Sequence, residues 1–252
     1  MPFTIYPFEM QHKGGFNGGE ILENKPIQLT GEEGKLQPYS NIFYWAHAWS
    51  DNGSTIGLHP HKGFEIMSFV LNGSIEHYDT AGRQWLPLRA GDAQIIRSGS
   101  GIAHSERINA NSDIFQIWLD PDLSQTLGEP ASYDDYTSEE FPVEDKDSMQ
   151  IKTYVGERSP MKITTPGVRI QEISVPDGRH EIPLDESCIY SVYLIEGELS
   201  ISDETLRKDG FVKIQEEEKF TFRSAGKGRI FLIESPKQVP YTTYSDRYLR
   251  TA

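Results

Sequence analysis

The sequence predicts an all-β protein built from two copies of one antiparallel β-fold, of the sandwich or barrel type. Three observations carry that expectation. Short runs of alternating apolar and polar residues, separated by turn residues, dominate the chain, and helical periodicity is scarce. Aromatic residues are plentiful, with 12 Tyr, 12 Phe and 4 Trp, as suits pleated and half-buried surfaces. The first half also recurs in the second. YLIEGELSI (193–201) matches SFVLNGSIEH (68–77) with Gly197 over Gly73, and LRKDG (206–210) echoes LRAGD (88–92).

The elements follow in order. IFYWAHAW (42–49), EIMSFVLNGSIEHY (65–78), AQIIRS (93–98) and IFQIWL (114–119) read as strands, with hairpin turns at LNGS (71–74) and DTAGR (79–83). Residues 121–148 are acidic and rich in turn residues, and are expected to link a domain over 1–120 to one over 149–252. Strands resume at MQIKTYV (149–155), VRIQEISV (168–175), CIYSVYLIEGELSIS (188–202), FVKIQ (211–215) and RIFLIE (229–234).

Composition narrows the function. At 252 residues, with 37% hydrophobic and 25% charged side chains, the chain can bury a substantial core. The formal net charge is −14, with 8 basic and 15 acidic residues (−7) in 1–130 and 16 and 23 (−7) in 131–252. Neither half offers a basic footprint, which argues against direct nucleic-acid binding. A single cysteine, Cys188, excludes an internal disulfide framework. No apolar run approaches the ~20 residues that span a bilayer, and the first residues lack a signal-peptide pattern. The expectation is a cytoplasmic protein without a membrane partner.

The chemistry concentrates in GLHPHKGFE (57–65) and SGSGIAHSE (98–106). On an extended chain, residues i and i+2 point to one face, so His59 pairs with His61 and His104 with Glu106. The 42 residues between His61 and His104 contain hairpins that could fold the second pair onto the first. Three imidazoles and a carboxylate suit Fe, Mn, Co, Ni, Cu or Zn and suit Ca or Mg poorly. Four such ligands leave coordination positions open, as a catalytic metal requires.

These stretches resemble the pirin family of bicupins, closely over 57–118, more weakly over 1–56, and only in architecture beyond. Gly53 to His61 fits the cupin pattern G-x5-H-x-H, and Glu65 follows at the usual short gap. The later cupin run starts at Gly91 but carries Arg97 where most cupins have Pro, and four residues separate Gly99 from His104. Pirins share that departure. The resemblance implies two antiparallel double-stranded β-barrels of jelly-roll type. It implies one divalent metal per chain, usually iron, on His59, His61, His104 and Glu106. It also implies either of two functions. One is a quercetin 2,3-dioxygenase-like enzyme, taking a flavonol or related aromatic and O2, in which Glu106, or Glu65 if Glu106 is the ligand, would accept the proton. The other is a non-enzymatic, metal-containing interaction protein with a protein partner.

Other residues are weaker candidates. Glu65 shares strand parity with His61 and stands as the alternative carboxylate; the resemblance favours Glu106. His47 is expected to be a hydrogen-bonded or a pocket-wall residue, His77 a solvated strand end, His12 and His180 loop residues, and Cys188 a small core residue. Superposing the repeats puts Pro183 and Asp185 where His59 and His61 stand, and Phe222 and Ser224 at His104 and Glu106. The second domain is therefore expected to hold no metal.

Overall fold

Alternation in the sequence becomes alternation in space: nearly every strand read above forms, and each turns one face to a core. The computed structural model describes residues 3–32 and 34–251, with side chains through Arg247. The chain divides into two compact units. The first comprises His12–Glu140, Ile163–Pro166 and the residues from Pro240; the second comprises the residues up to Gln11, Phe141–Lys162 and Gly167–Val239.

In the first unit a seven-stranded sheet runs in the order Ser132–Tyr136, Ala93–Arg97, Glu65–Asn72, Ser112–Leu119, Ile42–Ser50, Ile21–Ile27, His12–Phe16. A four-stranded sheet runs Ser54–His61, Ile102–Ile108, Ser74–Asp79, Trp85–Arg89. Ile21, Ala48, Val70 and Ile114 of the larger sheet pack against Ile75, Leu88 and Ile108 of the smaller, closing one end of the interior with apolar side chains.

The second unit repeats this arrangement. Its seven-stranded sheet runs Phe3–Tyr6, Phe211–Gln215, Cys188–Glu196, Gly228–Pro236, Arg169–Val175, Met149–Val155, Val143–Lys146. Its smaller sheet runs Gly178–Pro183, Lys219–Ser224, Glu198–Ile201, Glu204–Arg207. Gly73 and Gly197 occupy corresponding hairpins of the two units, with φ of 71° and 95°. A Cβ on Gly73 would lie 2.1 Å from Ser112 Oγ, so glycine is required there on two grounds. The echo of LRAGD in LRKDG holds as well, since Gly91 and Asp209 both take left-handed backbone, φ 89° and 65°. In DTAGR the left-handed residue is Arg83, and Gly82 is needed because a Cβ would meet Tyr133 Oη at 2.6 Å.

The expected division at 121–148 does not describe these units. Ser132–Tyr136 pairs with Ala93–Arg97 in the first unit, and Val143–Lys146 pairs with Met149–Val155 in the second. Phe3–Tyr6, at the other end of the chain, supplies the edge strand next to Phe211–Gln215. Acidity concealed the strand over 132–136. Asp134 is ion-paired to Arg97 at 2.7 Å and Asp135 accepts from Gln94, so partners on a neighbouring strand absorb the charge. Among the described residues no helix is long and apolar enough to cross a membrane.

Candidate metal centre

Ser54–His61 is an edge strand, which explains how Pro60 fits between two histidines: the amide hydrogen it lacks is not demanded by a neighbour on both sides. Leu58, 57% exposed, faces outward, and His59 and His61 turn inward together. On the neighbouring strand His104 stands opposite His59, and Ile102 opposite His61. Across the next strand Asp79 stands opposite His104, and His77 opposite Glu106. The three imidazoles converge, with ring centroids 4.5 Å (His59–His104) and 4.8 Å (His61 to each of the others) apart. Their ligating nitrogens all lie within 4.8 Å of one another, the group of this kind found among the described residues.

The donor set fits a metal on its own hydrogen bonding. His59 Nδ1 lies 2.8 Å from the Gly57 carbonyl, so it carries the proton and leaves Nε2 with a free lone pair. His61 Nε2 and both nitrogens of His104 are buried and make no hydrogen bond. Unpaired buried polar atoms cost about 1–3 kcal/mol each, and coordination would relieve that cost. Burial first, then the neighbouring imidazoles, push His61 and His104 down to about 3. Both are therefore neutral near pH 7, as ligands must be. A histidine value lowered in the folded state means that the unfolded chain binds more protons between about 3 and 6.5. The contribution of these two histidines to the stability of the metal-free protein is therefore expected to be complete above pH 6.5 and to be lost progressively as pH falls toward 3. It outweighs the opposite contribution of Asp120, whose carboxyl is raised by burial to about 6. Urea titrations across that range check this, and a stability that rises on acidification would contradict it.

The two candidate carboxylates part company. Glu65 is 1% exposed, and its oxygens accept from the backbone N–H and hydroxyl of both Thr164 and Thr165. That carboxylate is occupied by the loop it anchors. Glu65→Gln is expected to cost about 2–3 kcal/mol in chemical denaturation, the worth of hydrogen bonds to a charged group, with metal content unchanged. Glu106, also 1% exposed, accepts from Ser68 Oγ at 2.9 Å and from Gln116 Nε2 at 2.5 Å. It stands outside the three-histidine group, yet its charge acts on His61.

Sequence reasoning leaves Gln116, Phe64 and Glu23 unassigned, while it expects the aromatics around 43–49 and 115–118 to be core, with a few lining a pocket for a flat ring. Gln116 joins the carboxylate to an aromatic wall: its Nε2 donates to Glu106, and its Oε1 accepts from Trp118 Nε1 at 3.1 Å. Trp118 lies 4.8 Å from His61 and 6.1 Å from Phe64, which stacks on Phe43 at 4.5 Å. Tyr44 donates to the buried Glu23 at 2.9 Å. Burial, then the charge of Glu23, holds Tyr44 well above the ordinary tyrosine range. The signal available was a lone polar residue inside an otherwise apolar run, Gln116 in IFQIWL and Ser68 in EIMSF. His47 is half-buried, 3.4 Å from Asp113, in keeping with the expected role. His77 is not solvated but fully buried, with Asp79 at 3.2 Å. His180 and His12 lie on strands, and His180 bonds the Pro176 carbonyl.

The second unit corrects the superposition of Pro183 and Asp185. Its register sets His180, not Pro183, opposite Phe222, and Ile182 opposite Phe220. Phe220, Phe222, Val192, Leu194 and Leu232 fill the interior that imidazoles occupy in the first unit.

Paired jelly-roll units, one with a polar interior centred on three histidines, define a bicupin. The family model described as Pirin matches residues 35–119, so the comparison falls on the unit with the histidines. Over those residues the chain is similar to the Pirin family, and its two-unit architecture is that of a bicupin. Human Pirin is 30% identical over 150 residues, 57% of this chain and 51% of that protein. The Escherichia coli K12 quercetin 2,3-dioxygenase is 40% identical over 74 residues, 28% of this chain and 31% of that enzyme. The matched region thus spans about half the length of the pirin relatives, or less. In structure, the Escherichia coli pirin YhhW in complex with nickel(II) matches with a TM-score of 0.77 at 19% identity, covering 94% of this chain and all of that one. A quercetin 2,3-dioxygenase from Acinetobacter baumannii matches with a TM-score of 0.75 at 17% identity, covering 93% of this chain and 86% of that one. At those identities the structural likeness speaks for the fold.

Proposed function

We propose that this protein is a metal-dependent dioxygenase of the quercetin 2,3-dioxygenase type, acting on a flavonol or a related vicinally oxygenated aromatic. The observation that carries the reading is the set of unpaired imidazole nitrogens converging in the first unit, next to a wall of aromatic rings. His59, His61 and His104 would hold one divalent transition metal, with Glu106 completing the set; iron is the first choice, and Mn, Co, Ni, Cu and Zn suit the same donors. When bound, the metal supplies Lewis acidity toward an oxygenated ligand.

The remaining roles belong to side chains. Trp118 and Phe64 offer apolar rings against which an aromatic ligand can pack. Glu106 is the carboxylate available to accept a hydroxyl proton, because Glu65 is committed to Thr164 and Thr165. Ser68 and Gln116 aim the Glu106 carboxylate, each leaving its oxygen a further lone pair. Support from relatives is the quercetin 2,3-dioxygenase name carried by the Escherichia coli protein.

The test is oxygen uptake. Metal-loaded protein should consume quercetin and O2 together, and metal-free protein should consume neither. If fully metallated protein leaves every flavonol intact under oxygen, the enzyme reading falls and the interaction-protein reading takes its place.

A further inference from the structure

The first unit buries a second histidine–carboxylate pair directly behind the three converging imidazoles. His77 is fully buried and Asp79 is 1% exposed, on the strand next to that of His104. One oxygen of Asp79 is pinned by two backbone donors, Ala81 N and Gly82 N, each at 2.7 Å. The other lies 3.2 Å from His77 Nε2. A carboxylate can only accept, so His77 carries its proton on Nε2 and leaves Nδ1 as a lone pair. That Nδ1 is buried and makes no hydrogen bond. The His77 ring lies 5.6 Å from the ring of His104, both of whose nitrogens are also buried and unbonded.

These orphans are complementary. A histidine that presents one nitrogen to a metal keeps N–H on the other, and a buried N–H needs an acceptor. His77 Nδ1 is an acceptor with nothing to accept. The separation allows the two to meet directly or through one water. We propose that His77 and Asp79 are positioning residues for His104: Asp79 fixes the tautomer of His77, and His77 Nδ1 then takes the N–H that His104 retains, turning its lone pair toward the metal. The inference rests on reading His104 as a ligand, and adds what holds that ligand in place.

Asp79→Asn gives the sharpest test, because an amide keeps the shape and can still accept from Ala81 and Gly82. Its NH2 then faces His77 Nε2, which must become the acceptor and move the proton to Nδ1. Two donors would then confront each other at His104. Nickel(II) titrated into metal-free protein is expected to bind Asp79→Asn about 10–100-fold more weakly than wild type, with an altered absorption spectrum of the cobalt(II)-substituted protein. His77→Phe should weaken nickel(II) similarly, and His77→Gln, which keeps an acceptor, should recover most of the loss. Thermal melts of the metal-free variants identify any that fail to fold. Nitrogen-15 NMR of metal-free protein should show the Nε2–H tautomer of His77 in wild type and Nδ1–H in Asp79→Asn. Wild-type nickel(II) affinity in a folded Asp79→Asn protein, or an Nδ1–H tautomer in wild type, would overturn the proposal and leave the metal centre standing. Failure of wild type itself to bind nickel(II), cobalt(II) or iron(II) would bring down the metal reading, and this inference with it.

Discussion

Replacing His104 with alanine is expected to reduce bound metal from near one ion per chain to a trace after dialysis, an affinity loss of more than ~100-fold, beyond what changes around a ligand cause. His104 is the fully buried member of the cluster, on a different strand from His59 and His61, and it stands directly opposite His59. Truncation removes a donor and opens a cavity beside the remaining two, so no neighbouring atom can take its place. His59→Ala should behave in the same way. Asp185→Ala and His180→Ala should leave metal content unchanged, since the interior of their unit is lined by Phe220, Phe222 and aliphatic side chains. Elemental analysis, with melts of the metal-free variants to verify folding, checks all four. Two ions per chain, or full occupancy in His104→Ala, would contradict the account.

Glu106→Gln should separate holding the ion from turning over substrate. The amide keeps the size of the side chain and an oxygen able to ligate, but loses the charge and the basicity needed to accept a proton. It also sets an NH2 toward Ser68 Oγ or Gln116 Nε2, both of which now donate to the carboxylate. Oxygen uptake on quercetin is expected to fall by about 10²–10⁴-fold, the usual worth of a general base, with most of the metal retained. Normal turnover in this variant would move the base role to solvent. Loss of metal and turnover together would make Glu106 a ligand foremost.

Much of the site was legible because its spacing is local. An i, i+2 pair on an extended strand must share a face, so His59 with His61 and His104 with Glu106 follow from strand geometry alone. That the two pairs meet depends on which strands become neighbours, and the sequence could only allow it. Asp79 and His77 show the limit. HYD has the same i, i+2 form, yet whether it points to water or into the interior is decided by Ile102–Ile108 lying beside it.

For this chain, sequence alone determined the all-β class, the repeated fold and the local pairs from which three histidines are drawn together. Each rests on period-two patterning, turn glycines and donor chemistry, which operate within a few residues of chain. Tertiary structure decided the rest. It committed Glu65 to Thr164 and Thr165, about 100 residues away along the chain. It drew Phe3–Tyr6 into the sheet of the second unit and Ser132–Tyr136 into that of the first, because an open strand edge is satisfied by whichever backbone reaches it. It also gave one unit a polar interior and its repeat an apolar one, since register across strands, absent from any local window, selects which side chains share the space between the sheets.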